Sequence, residues 1–309
     1  MSKCKYSIVL PICNEEGTIN ELFSRLTKVM EGLGQPYEVI CVDDGSRDGS
    51  LDMLKKAAKD NPNYKVIKLS RNFGHQIALT AGLDASGGEA VVILDADLQD
   101  PPEFIPSLVS KWQEGYDVVY AIRRKRSENP IRALAIKAVY RIISRMSKIN
   151  IPVDAGDFRL LSRRVVDIIK NDVRERSRYL RGLFWWVGFR QIGIEYDRER
   201  RFAGKTKYNL LELAKLALAG ITSFSLFPLQ LATYLGFLVS LLSAVMIISL
   251  IVKKFSGLQI QGWVSVMVSI FFIGGVQLFT IGVLGEYIGR IYQEVKRRPI
   301  YLVDETVNL

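Results

Sequence analysis

An acidic stretch, Asp95 to Asp100, directly follows an apolar run of the sequence, Ala90 to Leu94. The run is rich in β-branched residues, which is typical of a strand buried on both faces of a sheet. Side chains of a strand repeat every two residues, so Asp95, Asp97 and Gln99 point the same way if the extended geometry continues. Two carboxylates and an amide oxygen suit a hard divalent cation such as Mg²⁺ or Mn²⁺. The alternative interpretation is a polar loop whose Asp-Pro-Pro sequence begins a helix.

Two more acidic loops follow predicted strands earlier in the chain. The first strand, residues 6–13, leads to Glu15, and the second, residues 37–42, ends at Asp43 and Asp44. Strands and helices alternate regularly here, which indicates a mainly parallel sheet with helices on both faces. Ligands bind such sheets beyond the carboxyl ends of the strands, so we expect the acidic loops to line one crevice. Neither G-x-G-x-x-G nor G-x-x-x-x-G-K-[ST] follows the first strand, which disfavours a dinucleotide dehydrogenase and a P-loop NTPase.

The carboxyl-terminal third contains two long segments without charge, Leu216 to Val252 and Phe255 to Gly285. As one helix the first would be about 55 Å long, whereas the hydrocarbon core of a bilayer is about 30 Å thick. Pro228 supplies a break. We therefore predict an interfacial amphipathic helix at residues 209–228. The segment that follows, residues 229–289, is predicted to form two transmembrane helices, at about 229–252 and 263–285.

Basic residues flank the predicted hairpin on both sides, and its connecting loop carries only Lys253 and Lys254. The positive-inside bias places both flanks in the cytoplasm. We therefore expect an integral membrane protein with a cytoplasmic catalytic domain at residues 1–208 and a cytoplasmic tail at residues 290–309. The sequence begins with a strand pattern and shows no signal peptide, and its three cysteines lack paired metal-ligand spacing, which fits reduced thiols.

The formal net charge of +10 is compatible with nucleic acid, anionic lipid or a phosphorylated substrate. Residues 131–149 combine basic side chains with helical apolar spacing, which fits either an anionic membrane surface or a solvated helix face. Because a membrane hairpin would add nothing to nucleic-acid binding, contact with lipid is the favoured interpretation.

Four short motifs occur in order along the first part of the chain. They are Pro11-Ile-Cys-Asn-Glu15, Val42-Asp43-Asp44-Gly-Ser46, Arg71-Asn72-Phe73-Gly74 and Asp95-Ala-Asp97-Leu-Gln99-Asp-Pro-Pro102. Together with the hairpin, they resemble the inverting family 2 glycosyltransferases of the GT-A fold, and more narrowly the polyprenyl-phosphate hexosyltransferases. That group includes dolichol-phosphate mannose synthase and bacterial undecaprenyl-phosphate glucosyltransferases. The resemblance covers nearly the whole chain and implies an α/β, Rossmann-like catalytic domain followed by a two-helix transmembrane hairpin.

The resemblance also implies roles for the matching positions. The residues expected to contact the nucleotide are Pro11, Glu15, Asp43 and Asp44. The residues expected to bind a metal ion on the diphosphate, Mg²⁺ or Mn²⁺, are Asp95, Asp97 and Gln99. The resemblance implies a basic loop over the diphosphate that contains Arg201, Lys205 and Lys207. It also implies that Arg123 and Arg132 bind the lipid phosphate and that Asp157 is the catalytic base. A phosphate monoester has a second pKa of about 6 and is largely ionised at neutral pH, so Asp157 could instead orient the acceptor, place a cation or exclude water.

These roles describe inverting transfer of a hexose from a nucleotide sugar to a polyprenyl phosphate at the cytoplasmic face of a membrane. UDP-glucose is the favoured donor, although GDP-mannose or an aminosugar donor would use the same motifs. A glycan synthase acting on a sugar hydroxyl is disfavoured, because residues 178–183 lack Gln-x-x-Arg-Trp and only two spans are present. The intact Asp95, Asp97 and Asp157 disfavour a catalytically inert membrane scaffold.

Two features leave alternatives open. His75, the only histidine, is either a turn residue before a helix or a ligand contact. Gly275, Gly282 and Gly289 recur at seven-residue spacing, which suggests close packing of the two spans or of subunits. We expect a homo-oligomer, a dimer or a tetramer. The other expected partners are the nucleotide sugar, the polyprenyl phosphate and the lipid bilayer, with no nucleic acid.

Overall fold

The computed structural model describes residues 4–124, 155–176, 178–198, 227–256 and 262–309. In these ranges the strands are β1 (Tyr6–Ile12), β2 (Tyr37–Asp43), β3 (Tyr64–Leu69), β4 (Ala90–Ile93), β5 (Val118–Arg123), β6 (Ala155–Ser162), β7 (Gln191–Tyr196) and β8 (Val303–Val307). The helices are α1 (Ile19–Gly32), α2 (Ser50–Asp60), α3 (His75–Ala85), α4 (Ile105–Gln113), α5 (Arg163–Asn171), α6 (Leu180–Trp186), α7 (Phe227–Phe255) and α8 (Trp263–Val295). A short 3₁₀ turn, Pro102–Phe104, precedes α4.

The described strands form one eight-stranded sheet in the order β7-β5-β6-β4-β1-β2-β3-β8. Its centre is parallel, because β1 pairs in parallel with β2 and β4, and β2 pairs in parallel with β3. Strand β6 runs antiparallel between β4 and β5, and β8 runs antiparallel to β3. The predicted mainly parallel α/β fold is confirmed. The alternating pattern of the first half of the chain carries no signal for β6 or β8, which lie far along the sequence.

Neighbouring side chains of the central strands face two separate hydrophobic layers. Ile8 packs in the layer that contains α1, α2 and α4, whereas the adjacent Val9 packs in the layer that contains α3, α5 and α6. The buried face of α1 consists of Ile19, Leu22, Leu26 and Met30. This spacing of three and four residues is that of an amphipathic helix lying on a core. Strand β4 is buried along its whole length, as expected for a strand covered on both faces.

The two long helices α7 and α8 contact each other and form the predicted hairpin. Their most apolar segments, Phe227–Ser249 and Val266–Val295, have mean hydropathies of 2.3 and 2.1, and almost none of their side chains are buried within the protein. Exposed apolar helices of this length are suited to the interior of a bilayer. Residues 209–226 of the expected interfacial helix lie outside the described residues.

After the hairpin, the chain returns to the sheet of the amino-terminal domain. The carboxylate of Glu294, near the end of α8, accepts a hydrogen bond from the backbone N–H of Arg176 at 2.6 Å. The backbone N–H of Ser70 then donates to the carbonyl of Leu302 at 2.9 Å, and β8 pairs with the edge of β3. Part of the predicted tail is therefore the last strand of the sheet.

Asn308 fastens the end of this strand. Its backbone has a left-handed φ of 62°, and its Nδ2 donates to the carbonyl oxygens of Ala58 at 2.6 Å and Tyr64 at 2.9 Å. Asn308→Gly tolerates this backbone conformation but loses both hydrogen bonds, so we expect the free energy of unfolding to fall by about 2 kcal/mol. Asn308→Ala should lose more, because a Cβ is strained at positive φ.

Thermal unfolding of the full chain in detergent, followed by tryptophan fluorescence, measures these losses. The matched control is Lys55→Gln, which removes a largely exposed ion pair with Glu305 and should cost about 0.5 kcal/mol. If Asn308→Gly unfolded at the same temperature as Lys55→Gln, the fastening role of Asn308 would be wrong.

Candidate active site

The predicted nucleotide contacts lie at the carboxyl ends of β1 and β2. Pro11 is buried within β1, and the Glu15 carboxylate that follows accepts a hydrogen bond from the hydroxyl of Thr18 at 3.2 Å. Asp43 is also buried, and its Oδ1 accepts a hydrogen bond from the backbone N–H of Ser46 at 3.3 Å. Its Oδ2 is buried and has no hydrogen-bond partner among the described residues. Such an acceptor is costly unless something donates to it, so a ligand with an N–H or O–H group fits here.

Asp44 joins two of the sequence motifs. Its carboxylate accepts hydrogen bonds from the backbone N–H groups of Phe73 at 2.6 Å and Gly74 at 2.9 Å, and the side chain of Asn72 donates to its carbonyl at 3.0 Å. Gly74 has a φ of 99°, a conformation that strongly favours glycine. Asp44 therefore fixes the loop before α3 and so places His75, the first residue of that helix.

The acidic stretch is a turn and does not continue strand β4. The strand ends at Ile93, the Oδ1 of Asp97 accepts a hydrogen bond from the backbone N–H of Gln99 at 3.1 Å, and Leu98 has a φ of 57°. An aspartate that hydrogen-bonds the backbone two residues on bends the chain. The strand alternation considered for Asp95, Asp97 and Gln99 therefore does not apply.

No three His, Cys, Asp or Glu side chains are grouped to hold a metal ion in the part of the chain that the structure describes. Asp95 nevertheless has the properties of a cation ligand, because its Oδ1 is buried and receives no hydrogen bond from a described residue. Burial raises the pKa of Asp95, the charge of His75 opposes this shift, and neighbouring carboxylates add to it. A cation would relieve this repulsion, so Asp95 fits a ligand of a divalent ion, and the set with Asp97 and Gln99 stays a prediction.

Asp157, near the start of β6, is held between two cationic side chains. Arg181 on α6 donates from Nε and Nη2 to the two carboxylate oxygens, at 3.2 and 3.0 Å. His75 Nε2 lies 3.6 Å from Oδ2 of Asp157 and 3.6 Å from Oδ1 of Asp95. Burial alone would raise the pKa of Asp157, but the charge of Arg181, followed by His75, holds that pKa well below its usual range. Asp157 is therefore a weak base at neutral pH.

Arg159 fixes the backbone on which Asp157 stands. This fully buried side chain donates from Nη2 to the carbonyl of Gly156 at 2.7 Å and from Nε to the carbonyl of Asp157 at 3.3 Å. Its guanidinium lies over the ring of Phe184, 4.8 Å from the centroid. Burial lowers the pKa of Arg159 to about 10. The backbone and the carboxylate of Asp157 are thus held by two different arginines.

Among the residues expected to bind phosphate groups, Arg123 is described. It ends β5, and its Nη2 lies 4.0 Å from Oδ2 of the fully buried Asp100. The other four, Arg132, Arg201, Lys205 and Lys207, lie outside the described residues. The basic loop over the diphosphate and the second lipid-phosphate contact therefore stay predictions.

Two cationic residues of the site were not predicted as such from the sequence. His75 was open between a turn residue and a ligand contact, and the structure places it between Asp95 and Asp157. Its position after the third strand was the available signal, because that strand ends at the same edge of the sheet as the acidic loops. Arg181 contacts Asp157, which lies 24 positions earlier, and no local spacing in the sequence predicts this pair.

Comparisons with known proteins match both parts of the chain. The family described as Glycosyl transferase family 2 matches residues 7–169, and the GtrB C-terminal hairpin matches residues 227–291. A protein of Synechocystis sp., named "Uncharacterized glycosyltransferase sll0501", is 51% identical over 301 residues, covering 97% of this chain and 94% of that protein. The SfII prophage-derived bactoprenol glucosyl transferase of Shigella flexneri is 42% identical over 307 residues, covering 98% of each.

Solved structures show the same fold at lower identity. The crystal structure of a mycobacterial protein is 22% identical to this chain with a TM-score of 0.50, covering 72% of this chain and 75% of that one. This likeness concerns the architecture of the sheet and its helices alone.

Arg181→Met tests how firmly Asp157 depends on its guanidinium partner. The variant leaves a carboxylate that is 13% exposed with His75 as the nearest remaining cation. Removing one partner of a buried ion pair costs about 3–5 kcal/mol, and partial exposure reduces the cost, so we expect a loss of about 2 kcal/mol in the free energy of unfolding. Adding Asp157→Asn should recover about half of that loss, because a neutral amide needs no cation.

Denaturant unfolding at pH 7 of the two single variants and the double variant gives the coupling free energy of the pair. The matched control is Arg174→Met, which breaks an ion pair with Asp84 at 2.7 Å and should be additive with Asp157→Asn. Additivity of Arg181→Met with Asp157→Asn would contradict the expected dependence.

Proposed function

The chain belongs to glycosyltransferase family 2, and we propose that it transfers glucose from a nucleotide sugar to a polyprenyl phosphate, with inversion, at the cytoplasmic face of a membrane. The observation that carries this proposal is the similarity to bactoprenol glucosyl transferases, which extends over the amino-terminal domain and the hairpin alike. A polyprenyl phosphate resides in the bilayer, so an enzyme that uses it benefits from a membrane anchor.

The pairing of β8 with β3 supports two membrane crossings. Because both strands belong to one sheet, strand β3, before α7, and strand β8, after α8, lie on the same side of any membrane that the hairpin crosses. An even number of crossings meets this condition, and a single crossing does not. The basic flanks of the hairpin favour the cytoplasm as that side.

Asp43 supports a nucleotide as the carrier of the sugar. Its buried Oδ2 lacks a hydrogen-bond donor among the described residues, and a nucleobase N–H or a ribose hydroxyl would supply one. Glu15 follows the neighbouring strand β1 and lies at the same edge. Because the bactoprenol relatives are named glucosyl transferases, we infer UDP-glucose as the donor, with GDP-mannose as the main competitor.

A divalent ion, Mg²⁺ or Mn²⁺, held by Asp95, Asp97 and Gln99 would stabilise the negative charge that develops on the departing diphosphate. The backbone N–H of Gln99 donates to Oδ1 of Asp97 at 3.1 Å, which holds these two residues in one turn and supports a shared role. The predicted basic loop with Arg201 and Lys205 would add positive charge on the open side of the diphosphate.

Asp157 is inferred to orient groups around the acceptor, and proton removal is a minor part of its role. Its pKa is held well below the usual range, first by the charge of Arg181 that offsets burial, and an acceptor phosphate with a pKa of about 6 is already ionised at neutral pH. Its carboxylate keeps Arg181 and His75 in place beside the reacting groups. Inversion requires attack opposite the departing diphosphate, so this placement governs the rate through alignment.

Purified full-length protein in nanodiscs, incubated with undecaprenyl phosphate, Mn²⁺ or Mg²⁺ and a panel of radiolabelled nucleotide sugars, tests the reaction. We expect labelled lipid from UDP-glucose, with much less from GDP-mannose and UDP-N-acetylglucosamine. Labelled lipid from one different donor would change the assignment of the sugar. The absence of labelled lipid from every donor would refute the transfer itself.

Asp157→Asn is expected to lower the initial rate of lipid labelling by at least about 100-fold, because an amide cannot hold Arg181 and His75 in the same way. The control is Asp167→Asn, which affects a largely exposed carboxylate 3.5 Å from Arg163 and should retain the rate of the natural protein. Turnover of Asp157→Asn close to that of the control would show that the orienting role is wrong.

Removal of divalent ions by EDTA should stop the transfer, and added Mn²⁺ or Mg²⁺ should restore it. Asp95→Asn removes one charged ligand, so we expect the metal concentration for half-maximal rate to rise by at least about 10-fold. Titration of the rate with Mn²⁺ in both proteins measures the shift. Full activity in EDTA would contradict metal dependence.

A further inference from the structure

We propose that Arg123 and Arg198 together form the binding site for the phosphate of the acceptor, and that Asp100 is the positioning residue that holds their guanidinium groups side by side. The identity of the acceptor rests on the proposed function, and the inference adds a second arginine and a buried anchor to that site. Its ligand is a phosphate monoester on a prenyl chain.

The geometry converges on the carboxylate of Asp100. This side chain is 0% exposed, and it lies in the turn after β4. Arg123 Nη2, at the end of β5, lies 4.0 Å from its Oδ2, and Arg198 Nε, two residues after β7, lies 3.7 Å from its Oδ1. The hydroxyl of Tyr196 donates a short hydrogen bond to Oδ1 and accepts one from Arg123 Nε at 3.4 Å. Three separate segments of the chain therefore meet at one buried group.

Within the described ranges of the chain, the charges of this cluster do not balance. One carboxylate faces two guanidinium groups, which leaves a net charge of about +1. The carboxylate is fully buried, whereas the side chains of Arg123 and Arg198 are 23% and 30% exposed, so the excess positive charge faces outward. An anion that reaches the exposed sides of both guanidinium groups would supply the missing charge. Paired arginines suit a phosphate group, because their planar N–H forks match its oxygens.

The neighbouring carboxylates at the end of β7 and just after it do not supply that anion. Glu195 lies 3.3 Å and Asp197 lies 3.4 Å from the guanidinium of Arg124, the residue after Arg123. Adjacent arginines thus have opposite environments, since Arg123 faces the buried Asp100 and Arg124 faces exposed carboxylates. This difference makes Arg124 a matched control for the loss of one positive charge at this edge of the sheet.

The cluster also lies next to the reacting groups. A Cβ placed on Gly156 would be 3.0 Å from Nη2 of Arg123, so the guanidinium packs directly against the residue before Asp157. A phosphate bound to Arg123 would consequently lie beside Asp157. A Cβ at position 156 would press on this guanidinium, so glycine leaves the space that Arg123 occupies.

Binding measurements separate this site from the rest of the enzyme. The full chain in detergent is titrated with farnesyl phosphate and, separately, with UDP by calorimetry, with farnesol as the uncharged comparison. We expect Arg198→Gln to raise the Kd for farnesyl phosphate by about 10- to 100-fold, the range for loss of a charged hydrogen bond. Asp100→Asn should raise this Kd by less, because the two guanidinium groups lose their anchor while the site gains net positive charge. The Kd for UDP should change by less than about twofold. Arg124→Gln should leave both constants unchanged.

A general structural role for the cluster would weaken the binding of UDP and of farnesyl phosphate alike, and that result would overturn the inference. So would unchanged binding of farnesyl phosphate by Arg198→Gln, or its absence in the natural protein. If Asp100→Asn fails to fold, Arg198→Gln decides, since it leaves the buried carboxylate paired with Arg123.

Transfer assays keep the two proposals distinguishable. In Arg198→Gln the KM for undecaprenyl phosphate should rise while the KM for the nucleotide sugar stays the same. If the natural protein binds farnesyl phosphate through these residues but forms no glycolipid from any donor, the proposed transfer fails and the phosphate site stands. If transfer occurs with an unchanged KM for the lipid in Arg198→Gln, the phosphate site fails and the transfer stands.

Discussion

Burial of carboxylates at one edge of the sheet is the constraint on which the rest of the site depends. Removing an unpaired carboxylate from water costs several kcal/mol, so each buried aspartate requires a cation or a set of donors close by. The fold supplies these cations from separate segments, namely His75 at the start of α3, Arg123 at the end of β5, Arg181 on α6 and Arg198 after β7. Such pairs add little net stability. Their effect is to fix where positive charge stands when an anionic substrate arrives.

The antiparallel direction of β6 explains why Asp157 lies at the edge of the sheet where the parallel strands end. The rule that site residues follow the carboxyl ends of strands does not predict this position. Parallel strands bring their carboxyl ends to this edge, but β6 runs the opposite way between β4 and β5 and brings its beginning there. Ile93, the last residue of β4, is paired with Arg159, two residues after Asp157. Asp95, two residues after the end of β4, and Asp157, on β6, therefore lie within reach of one histidine, although the sequence separates them widely.

Sequence patterns identify the strands and helices, but they do not show which distant residues meet at the site. Period and alternation identify the buried strand β4, the parallel centre of the sheet and the two apolar helices, because these signals are local. The acidic loops after β2 and β4 could be placed together, because parallel strands share a carboxyl edge. The partners of the carboxylates could not be found in this way. Asp100 and Tyr196 are 96 positions apart, and only the order of strands in the sheet makes them neighbours.

The pairing of β8 with β3 depends on how the two apolar helices are inserted into the membrane. Lys55 and Glu305 pair across 250 positions, so the sheet stays incomplete until both apolar helices and strand β8 have been synthesised. During that interval the edge of β3 is open to wrong partners, and pairing over such a distance is slow. A chain that threads only one helix leaves its last strand on the far side of the bilayer. Closure of the sheet thus excludes a chain in which only one of the two helices crosses the bilayer.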